Sequence, residues 1–274
     1  MILYDDPATE NLRIEEIADY LSSKLPRLEV EVRPGFFQHH LGGLAPSERE
    51  RAIDLLAREI ASCRVRNPFR PIWGVDFEPL YGEVEFERRG VENPSRKPFG
   101  IIYDGYRFAE ALFKLIPKEE RGLDRLHIVF TNQLLGTWAD EDGRYHLRVI
   151  ICHIPCLIST TGVVEAPAKP KEFYRVRRML EAMTGGGVDY PLIVKLKEGI
   201  ADKFIDYGDD RLTEVLKGYA LQAVFYHFLG EPFCDDPDCR LFNAHRQEEM
   251  IRAQLGSERE LCERHEGMLK EVGR

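Results

Sequence analysis

The feature that most constrains this chain is a group of cysteines and a histidine near its carboxyl end. Cys234 and Cys239 form a C-x4-C pair, and Cys262 and His265 form a later C-x2-H pair. Short loops that each carry two soft ligands, with a helical insert between them, are what a closed tetrahedral zinc site requires. We expect one structural zinc ion on these four residues, with His245 as the alternative fourth ligand. The competing interpretation is three unrelated buried cysteines and a surface histidine.

The expected cellular location favours a reduced state for these cysteines. The chain has 274 residues, of which 31% are charged, and this length allows one large domain or two small ones. No apolar run is long enough to span a bilayer, and residues 1–6 do not resemble a secretory leader, so we expect a cytoplasmic protein without a membrane segment. Clustered cysteines in that compartment favour metal binding over disulfides. The net charge of −9 argues against general nucleic-acid binding.

Hydrophobic spacing alternates between strand and helix along the chain. Apolar or alternating runs predict strands at residues 1–4, 28–32, 83–88, 100–103, 126–131, 144–152 and 156–160. Helical spacing predicts helices at residues 12–21, 47–63, 106–116, 172–183, 195–205, 210–229 and 244–255 and from 257 onward. Ser47 with Glu50 suggests a capping box, and Asp209 or Asp210 a cap for the longest helix. The pattern predicts an α/β fold with a mixed sheet flanked by helices.

The charged stretch 118–125 is the best candidate for a domain boundary. It would separate an N-terminal α/β region, residues 1–120, from a second domain, residues 121–274, that contains the cysteine cluster. The first region would then add an α/β layer to the second. The alternative to two domains is that the whole chain forms one continuous globule. In the second domain, residues 220–229 are apolar on almost every side, which is typical of a helix buried all round.

A second pattern overlaps the cysteine cluster. From His227 the chain reads H-x2-G, with the glycine at Gly230, followed by Cys234, Cys239 and Leu241. This resembles the archaemetzincin family of metallopeptidases, whose signature is H-E-x-x-H-x-x-G-x-x-H-C, four residues, C-x-M and a later C-x-x-C. The second histidine, the glycine and both cysteines fall on family positions, and Leu241 replaces the methionine.

The later cysteine pair of that signature aligns with this sequence only if its spacing is changed. Strict family spacing places it at Arg259 and Cys262, whereas a shift of three residues gives Cys262 and His265. The resemblance implies a compact metzincin-like C-terminal domain with a zinc knuckle, similar to uncharacterised archaeal proteins described as metallopeptidases.

Three departures from the signature affect the catalytic positions. Ala223 stands where the first zinc-binding histidine would be, Val224 replaces the general-base glutamate, and Phe233 replaces the third histidine. A catalytic zinc needs three protein ligands and an open position, and the base must reach the metal-bound water. No H-E-x-x-H occurs elsewhere in the chain. Proteolysis by the metzincin mechanism is therefore not supported by these residues.

A rebuilt metal site is the alternative interpretation of the same region. His227 and Glu231 are four residues apart at the end of the long helix, and His245 lies near Glu248 and Glu249. Together they could hold a metal in a new arrangement. The simpler interpretation is that His227 is a hydrogen-bonded core histidine and Glu231 a helix-end carboxylate.

The block of residues 144–170 is the best place for a ligand. Arg144, His146 and Arg148 alternate with apolar residues, which gives one strand face a basic character suited to a phosphate, a carboxylate or an acidic peptide. A solvated strand face is the alternative. The turn-rich segment that follows carries Glu165 and Lys169 and is either a binding loop or a stiff connection. In a metzincin-like layout this block would lie near the cleft opposite the long helix.

These observations leave several function classes open. The first is a zinc-binding pseudoenzyme related to the archaemetzincins that binds a peptide or protein without metzincin-type proteolysis. The second is a metal-dependent hydrolase with a rebuilt site, and the third is a phosphate- or RNA-contacting module that uses the basic strand. One tightly held zinc per chain fits the first class, and two metals fit the second. Nothing in the sequence specifies an oligomeric state.

Overall fold

The computed structural model describes residues 1–73, 78–183, 199, 201–256 and 259–272. In these ranges the strands are β1 (Ile2–Tyr4), β2 (Glu31–Arg33), β3 (Ile102–Asp104), β4 (His127–Thr131), β5 (Leu134–Ala139), β6 (Arg144–Arg148), β7 (Ile150–Ile151) and β8 (Cys156–Ser159). The helices are α1 (Ile14–Lys24), α2 (Phe36–Gly42), α3 (Pro46–Ser62), α4 (Tyr81–Glu92), α5 (Gly105–Phe113), α6 (Thr160–Glu165), α7 (Lys171–Met183), α8 (Leu212–Leu229), α9 (Gln247–Ile251) and α10 (Glu263–Val272). Shorter helical turns are Lys118–Glu120, Ala201–Lys203 and the π-helical Arg252–Gly256.

Within the described part of the chain, the larger sheet has five strands in the order β2-β1-β4-β8-β7. The pairs β1–β2, β1–β4 and β4–β8 are parallel, and β7 runs antiparallel to β8 at one edge. Parallel neighbours need a crossover, which α1 provides between β1 and β2. The prediction of an α/β fold with a mixed sheet flanked by helices is confirmed. Strands from residues 1–120 and from residues 121–274 share this sheet, and the division between those two regions stays a prediction.

Successive side chains of a strand point to opposite faces of the sheet, and in the central strands nearly all of them are apolar. Both faces of this sheet are therefore buried. One face carries Leu3, Ile128, Phe130, Cys156 and Ile158 and packs against α1 and α8. The other carries Ile2, Tyr4, Val129 and Leu157 and packs against α2, α3 and α5. The sheet is therefore the middle layer of three.

Among the described residues, the smaller sheet has the order β3-β5-β6, which places β6 at its edge. β5 and β6 form an antiparallel hairpin, and Gly143 in its turn has a φ of +60°, which favours glycine. β5 itself was not among the strands predicted from the sequence. The predicted strand 144–152 is two strands, because the chain leaves β5 after Arg148 and joins β8 in the other sheet from Ile150.

The predicted strand at residues 83–88 is wrong, because this segment lies within α4. Val91 and the carboxylate of Glu87 are buried on its inner face. The Tyr103 hydroxyl donates to Glu87 Oε1 at 2.9 Å, and Arg64 forms an ion pair with the same carboxylate. A buried charged residue at a helical position conceals the helical period, which explains the error.

Several predicted helix ends also differ from the structure. α3 begins at Pro46 after Ala45, without a side-chain hydrogen bond at its cap, so the capping box predicted at Ser47 is absent. α8 begins at Leu212, and Asp209 accepts from the backbone N–H of Arg211 instead of capping the helix itself. The last helix begins at Glu263, several residues later than predicted. Residues 195–198 and 200 of the predicted helix at 195–205 lie outside the described residues, and its described part contains the short helical turn Ala201–Lys203. No helix in the described ranges is long and apolar enough to cross a bilayer.

Candidate metal centre and adjoining cavity

The four residues predicted as zinc ligands converge at one point. One sulfur or ring nitrogen from each of Cys234, Cys239, Cys262 and His265 lies within 4.8 Å of all the others. The Sγ atoms of Cys234 and Cys262 are 3.9 Å apart, and His265 Nδ1 lies 3.8 Å from Cys239 Sγ and 3.0 Å from Cys262 Sγ. Cys239 and His265 are fully buried, and the other two are half-buried.

The first two cysteines are held by the chain just after α8. Gly230 ends that helix with a φ of +73°, a left-handed conformation that favours glycine. The backbone N–H of Cys234 then donates to Leu241 O at 2.8 Å, and the N–H of Cys239 donates to Asp236 O at 3.1 Å. The N–H of Asp236 lies 3.3 Å from Cys234 Sγ. This tight loop is what brings the two thiols together.

The other pair of ligands lies at the start of α10. The carbonyl of Cys262 accepts from Glu266 N at 2.9 Å, so Cys262 immediately precedes the helix and His265 is in its first turn. Residues three apart lie on the same face of a helix. That face packs against α8, where the ring of Phe225 meets the His265 ring edge to face at 5.4 Å.

The donor set and its spacing fit a tetrahedral metal ion. Zinc–sulfur and zinc–nitrogen bonds of about 2.3 and 2.0 Å would separate tetrahedral donors by about 3.5–3.8 Å, near the distances found here. Burial raises the pKa of Cys239 to about 12, so without a cation its thiol stays protonated. Burial lowers the pKa of His265, which favours the neutral ring that metals bind. A bound cation would offset the cost of burying thiolates here.

The other histidines and the glutamate considered for a metal do not join this group. His227 Nε2 lies 2.7 Å from the backbone oxygen of Leu123, and Glu231 forms an ion pair with Arg264. His245 is exposed, and its backbone N–H donates to Glu249 Oε2 at 3.0 Å. Every histidine and cysteine of the chain lies in the described ranges, and in those ranges the cluster above is the one group that could hold a metal. His227 and Glu231 are therefore not part of that group.

The positions that depart from the archaemetzincin signature are closed to a metal. Ala223 and Val224 are fully buried in the core around α8. Phe233 is 40% exposed and presents an apolar ring where the signature has a ligand. None of these side chains has an atom that can bind a metal.

A cavity of about 650 Å³ lies between the β6–β7 segment and α8. All nine residues from 144 to 152 line it on one side, and Tyr219 and Gln222 of α8 line it on another. Phe233, Phe242 and His245 contribute from the segment that follows α8. The cavity adjoins the block of residues 144–170 and lies opposite the long helix, while the prediction that this block binds a ligand stays a prediction.

The basic residues of β6 belong to the wall of this cavity. Arg144 is exposed, and Arg148 is half-buried with its Nε donating to Thr137 Oγ1 at 2.9 Å. His146 Nε2 lies 2.6 Å from Asp142 Oδ2, close enough for an ion pair but outside hydrogen-bonding geometry. The structure therefore brings together the three residues predicted to form a basic face.

Glu165 and Lys169 lie beside the cavity instead of in it. Their side chains approach each other at 3.6 Å, and Glu165 accepts a hydrogen bond from the Tyr207 hydroxyl at 3.2 Å. The residues between them, Ala166, Pro167 and Ala168, are the ones that line the cavity. The N–H of Ala168 donates to His245 O at 2.9 Å, which fixes this segment to the chain after α8.

Gln222 is the residue of this site that the sequence did not single out. It is 1% exposed and lies in a helix that is otherwise apolar around it. Its Nε2 donates to Phe242 O at 3.4 Å, while its Oε1 is buried and has no partner among the described residues. A lone amide in an all-apolar stretch was the signal that could have identified it.

Comparison with known proteins adds a family to this geometry. No curated protein and no solved structure matches the chain. One family model, described as a probable metallopeptidase family (DUF6775), matches residues 1–272. That match covers nearly the whole chain, including both sheets, the cysteine cluster and every described residue that lines the cavity. The chain therefore belongs to this probable metallopeptidase family, DUF6775.

Proposed function

We propose that this protein is a zinc-stabilised relative of the metallopeptidases that binds a peptide or protein and does not use metzincin-type catalysis. One observation carries the proposal: the metal-binding group found in the described ranges contributes none of its four residues to the wall of the cavity. A ligand in the cavity would meet arginines, an amide and aromatic rings. Metal and ligand would thus occupy separate places in the fold.

The proposed metal is zinc in a structural role. Three thiolates and one imidazole form a common zinc ligand set, and four protein ligands leave no position for a catalytic water. The ion would join the loop after α8 to the first turn of α10. Cys234, Cys239, Cys262 and His265 would hold it, and the chemistry it supplies is cross-linking of the fold.

An extended peptide suits the cavity because the wall includes a sheet edge. β6 pairs with β5 on one side, and on the other the N–H of Tyr145 donates to Pro68 O at 2.8 Å. By strand alternation the backbone groups of Leu147 point toward that same outer edge. Leu147 lines the cavity, so its backbone could pair with a peptide that adds a strand there. Edge strands commonly recognise peptides in this way.

Metal analysis combined with a peptidase assay tests the proposal. We expect one zinc per purified chain, no cleavage of a mixture of unstructured peptides, and loss of the zinc in Cys234→Ser. Cys152→Ser is the matched control, because Cys152 is also half-buried but lies outside the cluster. It should keep one zinc.

Two results would overturn this function. One is a second, weakly held metal ion whose loss follows His227→Ala. The other is peptide cleavage that His227→Ala abolishes while the structural zinc and the fold are retained. Either would restore the metal-dependent hydrolase as the better interpretation.

A further inference from the structure

The cavity differs in charge from the rest of the molecule. The chain carries a formal net charge of −9, yet none of the described residues that line the cavity is an aspartate or a glutamate. Arg144, Arg148, His146 and His245 all line it. A basic wall in an acidic protein concentrates an anionic ligand and disfavours a cationic one.

Arg148 is the cation best placed to hold that anion. Its Nε is engaged with Thr137 Oγ1, and no carboxylate in the described ranges pairs with its two Nη groups. Arg33 shows the contrast, since it places both Nη groups on Glu120 at 2.8 Å. The guanidinium fork matches the two oxygens of a carboxylate. Arg148 thus has a position oriented by Thr137 and an open pair of donors.

Gln222 adds a second requirement on the ligand. Its buried Oε1 has no hydrogen-bond donor in the described part of the chain. A buried acceptor without a partner costs about 1–3 kcal/mol, and Gln222 lines the cavity. A ligand whose N–H the amide turns to meet would therefore remove a penalty. A phosphate ion presents mainly acceptors and would leave Gln222 unpartnered. A peptide presents an N–H with every residue.

We infer that the cavity binds the free carboxyl terminus of a peptide, with the terminal carboxylate on Arg148 and a nearby backbone N–H on Gln222. This inference rests on the proposed function and makes its ligand specific. A free terminal residue carries both a carboxylate and a backbone N–H within a few atoms of each other. An amidated terminus keeps the N–H but lacks the carboxylate. The preceding residues of the peptide would extend along the edge of β6.

A comparison of free-acid and amidated peptides tests the inference. The zinc-loaded full chain is incubated with a random-sequence hexapeptide mixture in each form, and bound peptides are identified by mass spectrometry. One selected peptide is then measured in both forms by fluorescence polarisation. We expect the free acid to bind at least tenfold more tightly than the amide, which corresponds to about 1.4 kcal/mol.

Matched variants separate this role of Arg148 from a general effect on the fold. Arg148→Gln should weaken binding of the free acid at least tenfold and leave the weak binding of the amide unchanged. Arg89→Gln, at an exposed position on α4 outside the cavity wall, should change neither affinity. Unchanged zinc content and thermal unfolding in both variants would show that the fold is intact.

The outcomes distinguish this inference from the function beneath it. Equal binding of acid and amide would contradict the inference and leave peptide binding standing. Failure of both forms to bind would contradict the proposed function itself. Displacement of the free acid by inorganic phosphate at similar concentration, with phosphate binding lost in Arg148→Gln, would show that the cavity holds a phosphate instead.

Discussion

The Nε2 atom of His227 lies 2.7 Å from the backbone oxygen of Leu123. Because a carbonyl only accepts, Nε2 carries the proton and donates. The histidine that matches the metzincin signature therefore joins the end of α8 to the segment before β4. Its ring is engaged in a contact within the protein, away from the four residues of the cysteine cluster.

His227→Ala should leave the metal content at one ion per chain and lower the free energy of unfolding by about 1 kcal/mol, the usual net contribution of one hydrogen bond. Metal analysis and urea unfolding measure the two effects. His227→Gln retains an amide donor and should recover part of the loss. A variant that folds normally but loses metal would show that His227 binds an ion.

Gly162 of α6 lies against the backbone of β6, so Gly162→Ala should destabilise the protein. An added Cβ would lie 2.6 Å from Arg148 O and 2.8 Å from Ser159 Cβ. Backbone atoms in a packed sheet yield little, and we expect a loss of about 2 kcal/mol in urea unfolding. Gly82→Ala in α4 is the control, because nothing lies within 4 Å of its added Cβ. It should be neutral or stabilising by up to about 1 kcal/mol. Equal effects would contradict the close approach of α6 to β6.

Removal of the Glu120 charge should weaken the link between β2 and the turn at residues 118–120. Arg33 places its Nη groups at 2.8 Å from both oxygens of Glu120, and the side chains are only 9% and 18% exposed. Glu120→Gln leaves the guanidinium partly unpaired, for an expected loss of about 2 kcal/mol in urea unfolding. The exposed pair of Glu50 with Arg88 provides the control, and Glu50→Gln should cost less than about 0.5 kcal/mol. Similar losses in the two variants would rule out a special role for the buried pair.

A hydrogen-bonded group around the Tyr4 hydroxyl makes stability depend on pH. His40 Nε2 and His127 Nδ1 each lie 3.2 Å from that oxygen, and Arg33 Nη1 lies 3.1 Å from it. Burial, together with the neighbouring His39 and Arg33, lowers the pKa of His40 to about 4. The folded protein therefore favours neutral His40.

The sign of the effect follows from proton binding. Unfolded His40 takes up a proton near its ordinary pKa of about 6.5, whereas the folded protein does so only near pH 4. The stabilising contribution is full above pH 6.5 and is lost as the pH falls toward 4. His40→Gln keeps an amide donor for Tyr4 and should show a shallower loss of stability in urea unfolding between pH 6.5 and 4. Since both proteins retain the cysteine cluster, metal loss affects them equally, and identical slopes would contradict the assignment to His40.

The sequence was most informative where contacts are local. The run L-H-I-V-F-T at residues 126–131 predicts β4 because a strand buried on both faces is continuously apolar. Cys234 with Cys239, and Cys262 with His265, could be grouped because each pair is only a few residues apart. Grouping the two pairs into one site required only that the segment between them bring the second pair close to the first.

The cavity could not be predicted in the same way. Arg148 and Gln222 line the same cavity because β6 and α8 lie on opposite sides of it, and no periodicity in the sequence records that relationship. The division of residues 144–152 into β6 and β7 could not be predicted either, because a single alternating run of residues contributes to both sheets. The buried carboxylate of Glu87 misled the prediction of α4 for a related reason, since its partners Arg64 and Tyr103 lie outside the helix.

The position of β1 between β2 and β4 has a consequence for the order in which the chain can fold during synthesis. β1 and β2 leave the ribosome before residues 127–131, which form the second neighbour of β1. Until those residues emerge, β1 presents an open row of amides and carbonyls on which another nascent chain could pair. A chaperone that shields this edge would matter most in the interval between the synthesis of β1 and that of β4.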